Sequence, residues 1–68
     1  MKSVSGKDFC RLIEKRGWEL KRITGSHHIY AMQGREERIS VPIHGNKDLK
    51  MGLMRAQMKI AGITEQDL

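Results

Sequence analysis

Thr24-Gly25-Ser26-His27-His28-Ile29-Tyr30 decides how this chain is read. Gly25-Ser26 suits a two-residue type II′ hairpin turn, because glycine tolerates the positive φ that such a turn needs at its first central position. The residues on either side, Trp18 to Thr24 and His27 to Met32, are rich enough in β-branched, aromatic and apolar types to make two strands. A tight turn fixes their pairing: Thr24 opposite His27, Arg22 opposite Ile29, Leu20 opposite Ala31 and Trp18 opposite Gln33. One face then carries Trp18, Leu20, Ile29 and Ala31, the expected core face, with His27 at its far end beside Arg22. The other face carries Lys21, Ile23, His28, Tyr30 and Met32.

A third strand follows over Arg38 to Ile43, with Ile39, Val41 and Ile43 on one side. Pro42 cannot donate to a ladder, so this strand belongs at an edge or ends there. Upstream, Ser5 is a suitable N-cap, with Asp8 three residues on and Val4 and Phe9 placed as a hydrophobic staple. Phe9, Leu12 and Ile13 form a helical stripe ended by Gly17, giving a first helix at about 6–16. A second helix runs from about Lys50 to Ala61, stopped by Gly62. It has two apolar stripes: Leu49, Leu53, Ala56 and Ile60, and, nearly opposite, Met51, Met54, Met58 and Ala61. One should meet the sheet, and the other is then free for a partner. The expected fold is α+β, an α-β-β-β-α chain with a three-stranded antiparallel sheet and two helices on one face, the architecture of double-stranded-RNA-binding domains.

The 68 residues fit one domain, 1–68, with a small core. Thirteen Lys and Arg stand against eight Asp and Glu, with a pI near 9.8. That balance suits a polyanion binder, or simply a basic soluble surface. No run is long and apolar enough for a membrane span, and the first residues lack a signal-peptide core, so a cytoplasmic protein is expected. A lone cysteine, Cys10, excludes an internal disulfide and a cysteine zinc cluster, and it reads as a small apolar group beside Phe9.

Three histidines are the chemically versatile groups. Histidine can take and give a proton near neutral pH. RNA cleavage needs a base for the 2′-hydroxyl, an acid for the leaving 5′-oxygen, and cations for the phosphate; Arg22, adjacent to His27, could be one cation. On the residues alone, His27 reads first as a half-exposed strand histidine bonded to its turn. His28, beside Tyr30, could contact RNA or be an ordinary cross-strand neighbour. His44 is a candidate second acid/base or a loop cap. Lys47 and Lys50 precede the second helix, where they would reach phosphates or remain solvated. No carboxylate or thiol lies at ligand spacing from the histidines, so neither a metal nor a cofactor is expected.

Taken together, Ser5-Gly6-Lys7, Gly17-Trp18, Gly25-Ser26-His27, Val41-Pro42-Ile43-His44, Gly52-Leu53-Met54-Arg55 and Ala61-Gly62-Ile63 resemble, in order and over the whole chain, the HicA toxins of HicAB toxin–antitoxin systems. The resemblance implies a ribosome-independent mRNA endoribonuclease that arrests growth by blocking translation. It makes His27, directly after Gly-Ser, the catalytic residue; the nuclease reading of the other residues puts Arg22, Lys47 and Lys50 on phosphate, Ser26 in shaping the turn and His28 on the RNA. The partner it implies is a HicB antitoxin that covers the active surface, in an assembly of higher order. The chain departs from the family pattern in the second helix, where Leu53 stands in place of a threonine and Gln57 in place of an isoleucine. On that alignment Met54, Met58 and Ala61 face the core, while Leu53 and Ile60 face out to dock a partner. The alternatives are a non-catalytic RNA-binding module and a small interaction protein.

Overall fold

The computed structural model describes residues 2–68. Its elements run α1 (Gly6–Lys15), β1 (Glu19–Thr24), β2 (His27–Ala31), β3 (Arg38–Pro42), α2 (Met51–Ala61) and a closing 3₁₀ turn (Glu65–Asp67). Ser5 caps α1, its hydroxyl accepting from the Asp8 N–H at 3.1 Å. The Asp8 carboxylate turns to Arg11, at 2.9 Å, rather than back to the cap.

The sheet is antiparallel with order β1-β2-β3, so β2 is central and β3, ending in Pro42, is an edge. At the turn Gly25 has φ of 60° while Ser26 has no positive φ, which is the type II′ combination. Thr24↔His27 and Arg22↔Ile29 pair as the turn dictates. Beyond them the register slips at Lys21: Leu20 faces Tyr30, and Glu19 faces Ala31. The expected pairing of Leu20 with Ala31 is therefore displaced by a bulge, which re-aims the strand by one residue.

The expected core face of the hairpin is also corrected. Tyr30 is buried, at 1% exposure, whereas Ile29 of the expected core face is only half-buried and Leu20, brought to Tyr30's side by the bulge, is 44% exposed. The physical reason lies in β3. Ile39 pairs with Tyr30 and Val41 with His28, so these four residues share a face. Ile39 and Val41 are the purest apolar alternation in the sheet and are fully buried. They carry Tyr30 inside with them, because neighbouring strands present paired residues to the same side. Trp18 is buried as expected, although it precedes β1, and Arg35 stacks over its ring at 5.2 Å.

Both helices cover that face. Phe9 and Ile13 of α1 and Met54, Met58 and Ala61 of α2 meet Tyr30, Ile39 and Val41 in one cluster, closed by Leu49, Trp18 and Ile63. The methionine stripe of α2 is thus the inner one. Leu53 and Ile60 flank the cluster half-buried, and Ala56 is exposed. Gly62, with φ of 73°, ends α2 in a left-handed cap whose N–H returns to the Met58 carbonyl. Arg16 then ties the end of α1 to the end of α2, donating to the Gly62 carbonyl and to Asp67 at 2.6 Å. Among the described residues no helix is long and apolar enough to cross a membrane.

Gly6 is where α1 meets β3. A Cβ built there lies 2.6 Å from the Pro42 carbonyl oxygen and 3.3 Å from Ile43 Cγ1. Alanine would favour the helix by about 1 kcal/mol, but the obstacle is backbone and cannot rotate away. Gly6→Ala is expected to destabilise the fold by about 1–3 kcal/mol, as overpacking does, read from the urea midpoint at unchanged m.

Tyr30 donates to Glu14 Oε2 at 2.6 Å. Burial pushes its phenol well above the ordinary range, and the hydrogen bonds with Cys10 and Glu14 push it the same way. Burial likewise raises the Cys10 thiol, partly opposed by its hydrogen bond with Tyr30. Both are acids held neutral by folding, so the unfolded chain releases their protons first. Stability is therefore complete below the unfolded values, about 8.5 for Cys and about 10 for Tyr, and falls as pH rises above them. Tyr30→Phe is expected to remove one proton from this dependence, about 1.4 kcal/mol per pH unit above pH ~10. Urea midpoints of the two chains between pH 7 and 11 measure it.

Candidate nucleic-acid site

His27 is the first residue of β2, held between Thr24 on one side and Pro42 on the other. The ladder continues one bond past the strands, where the Ile43 N–H donates to the Ser26 carbonyl at 2.8 Å. This bond brings the chain after β3 alongside the hairpin turn. His44 follows directly, so a residue seventeen positions from His27 in sequence ends beside it.

The segment between β3 and α2 is fastened to the N-terminal segment. The Leu49 N–H donates to the Val4 carbonyl at 2.8 Å, Ser5 bridges Asp48, and the Ser3 hydroxyl donates to Asp48 at 2.9 Å. Lys47 is turned by a hydrogen bond from its N–H to the His44 carbonyl at 3.1 Å. The result is a cleft of about 340 Å³ at the open end of the sheet. His27, His44, Lys47 and Lys50 line it together with Asp48, while Pro42, Leu49 and Leu53 give it apolar walls. Neither lysine is in an ion pair among the described residues. Lys50 is the N-cap of α2, which receives no side-chain cap hydrogen bond and has no acid in its first turn. The free N–H groups and the positive end of the helix dipole therefore add to the two lysines.

Four of the residues selected from sequence thus converge, and three do not line the cleft. Arg22 is exposed on β1, opposite Ile29 and on the face that His27 shares, not at the end of the core face. Ser26 is half-buried in the turn and contributes its carbonyl to the ladder. His28 lies on the helix side, with Tyr30, Leu20, Lys7 and Arg11 around a separate shallow hollow. The two adjacent histidines therefore occupy different environments, as the hairpin register requires, with the faces exchanged. Of the residues singled out for docking, Leu53 is on the cleft wall, and Ile60 lies about 10 Å further along α2. Among the described residues no cluster of His, Cys, Asp or Glu is disposed to hold a metal ion.

One residue escaped sequence reasoning. Ser40 Oγ and His27 Nδ1 share a hydrogen bond at 3.1 Å. The signal was available in parity: Pro42 pairs with His27, so Ser40, two residues back on β3, reaches the same face diagonally.

The site is thus a basic, histidine-bearing cleft at one end of an antiparallel three-stranded sheet that carries both helices on one face. A family model described as the HicA toxin of bacterial toxin–antitoxin systems matches residues 6–63, from the start of α1 to just past α2. The chain belongs to the HicA family, the toxin component of a toxin–antitoxin system. Among solved structures it is similar to a chain of the HicA3 and HicB3 toxin–antitoxin complex, at 32% identity and a TM-score of 0.65, covering 87% of this chain and 94% of that one. A search of curated protein sequences finds no match.

Proposed function

We propose that the chain is an endoribonuclease that cuts mRNA in the cleft at the end of β2, with His27 moving the proton. The observation that carries this reading is the convergence of His27, from β2, with His44, Lys47 and Lys50, from the segment between β3 and α2, on one cleft. His27 takes the proton of a ribose 2′-hydroxyl, and the freed oxygen attacks the adjacent phosphorus. The bond to the 5′-oxygen breaks, and that oxygen receives a proton from an acid, for which His44, the other histidine of the cleft, is the candidate. The products are a 2′,3′-cyclic phosphate and a 5′-hydroxyl end. Lys47, Lys50 and the uncapped start of α2 stabilise the charge that builds on the phosphate oxygens. Arg22, Ser26 and His28 lie outside the cleft, where they would touch flanking RNA. The scheme uses no metal or cofactor and no ribosome, and its outcome is a block of translation in the cytoplasm.

The regulating partner in this reading is a HicB-type antitoxin, since the similar HicA3 chain was solved with HicB3. Leu53 on the cleft wall and half-buried Ile60 on the same side of α2 supply apolar contact for it, so an antitoxin seated there excludes RNA. Repetition of that contact would build the larger toxin–antitoxin assembly.

Cleavage of unstructured RNA by the native chain in EDTA is the first test. His27→Ala is expected to lose about 10²–10⁴-fold in cleavage rate, the usual share of a positioned acid/base, while binding RNA nearly as well. A native chain that binds RNA in a salt-sensitive way but never cuts it would be a non-catalytic RNA-binding module. The lysines have a separate signature. Lys47→Gln with Lys50→Gln is expected to weaken binding to single strands and to lower the slope of log K against log salt by about 0.7 per lysine. A fluorescence-anisotropy titration from 50 to 200 mM salt reads both, spanning roughly the range where phosphate contacts dominate.

A further inference from the structure

We propose that Ser40 is the positioning residue of His27: its hydroxyl oxygen accepts the imidazole Nδ1–H and leaves Nε2 as the nitrogen offered to substrate. The inference rests on the nuclease reading, which supplies the direction of the bond; the contact between His27 and Ser40 stands apart from it. His27 is exposed at the start of β2, and its ring would otherwise be free to turn about two side-chain bonds. Ser40 is half-buried on β3, in a strand whose neighbours Ile39 and Val41 are fully buried, so its Cα position is set by the core. The 3.1 Å contact between Oγ and Nδ1 therefore anchors a mobile ring to a rigid element.

The direction of the bond follows from what a proton carrier must do. In a neutral imidazole one nitrogen holds the proton and the other accepts. Were the Ser40 hydroxyl to donate to Nδ1, Nε2 would carry the proton and could not take another. With Oγ as acceptor, Nδ1 holds its proton and the Nε2 lone pair is free to act as base. Once Nε2 is protonated, both nitrogens are donors, and Oγ still accepts from Nδ1. The same hydrogen bond thus persists through both halves of the cycle, and the ring need not move between taking a proton and returning it. A hydroxyl fills here the place that a carboxylate or carbonyl fills behind other catalytic histidines.

The test is the tautomer of His27, read by ¹⁵N NMR of the full native chain above the pH at which the ring is neutral. The expected result is a protonated Nδ1 and an unprotonated Nε2. In Ser40→Ala the proton is expected to redistribute to Nε2; in Ser40→Thr, which keeps the hydroxyl on a β-branched side chain suited to a strand, it stays on Nδ1. On RNA, Ser40→Ala should lose about 10–100-fold in kcat, taking the cost of removing the partner behind a metal-bound histidine as the scale, with KM little changed, and Ser40→Thr should recover most of the loss. A native His27 with its proton on Nε2 overturns the proposal, and so does a Ser40→Ala chain that is folded and keeps both the tautomer and kcat. A native chain with Nδ1 protonated that cuts no RNA upholds the hold of Ser40 on His27 and removes the nuclease reading instead.

Discussion

The contact on which the rest of the molecule depends is that of Ile39 and Val41 with the two helices. These side chains are the deepest apolar pair of the sheet, and no other strand offers two fully buried aliphatic residues in alternation. Because side chains of paired strands share a face, burying them determines which half of β2 goes in. Tyr30 follows them inward, and His27, of the opposite parity, is left on the solvent side. A one-residue slip between β2 and β3 would reverse both outcomes and bury the histidine. The exposure of His27 is therefore a by-product of aliphatic packing several residues away.

The second constraint is the fastening of the segment between β3 and α2 to the N-terminal residues. It contains no regular structure, yet it supplies His44, Lys47 and Lys50. Three contacts with Ser3, Val4 and Ser5 give it a fixed course. The same N-terminal residues lead into α1, whose first residue, Gly6, abuts the Pro42 carbonyl. The cleft is thus bounded on one side by a strand end and on the other by a helix start, and its intervening loop borrows rigidity from the beginning of the chain.

Much of this was legible in the residues. Ser5, Gly17, Gly25-Ser26 and Gly62 are local signals whose physics is contained within a turn or a cap, and each fell where its chemistry says. The order of elements followed from them. The core face of the hairpin did not, because in the unbroken register that the turn implies β1 and β2 alone carry apolar residues on both faces: Leu20 and Ile29 on one, Ile23, Tyr30 and Met32 on the other. Only the unambiguous alternation of β3 decides between them, and its influence acts through a pairing that no local signal fixes. The bulge at Lys21 was hidden for the same reason. For the site, His27, His44, Lys47 and Lys50 could be chosen by type, but their meeting depends on the bond between Ile43 and Ser26 that continues the ladder. Ser40 went unseen because serine in a strand carries no chemical signal until its diagonal neighbour is known. The inward methionine stripe of α2 was likewise not decided by periodicity, since both stripes have helical spacing; family resemblance pointed to the inner one.

The bulge in β1 has a further effect on how these molecules behave in a crowd. β1 is an outer strand, so one of its margins presents backbone donors and acceptors that have no neighbour within the sheet. Leu20 and Ile23, both exposed, add stickiness to that margin. A flat strand of this kind would template the growth of an intermolecular sheet. The irregularity at Lys21 breaks the regular spacing of those groups, and Lys21 and Arg22 place two cations where an identical chain would have to approach. A distortion that looks like a flaw in strand pairing thus also interrupts the edge that an identical chain would meet.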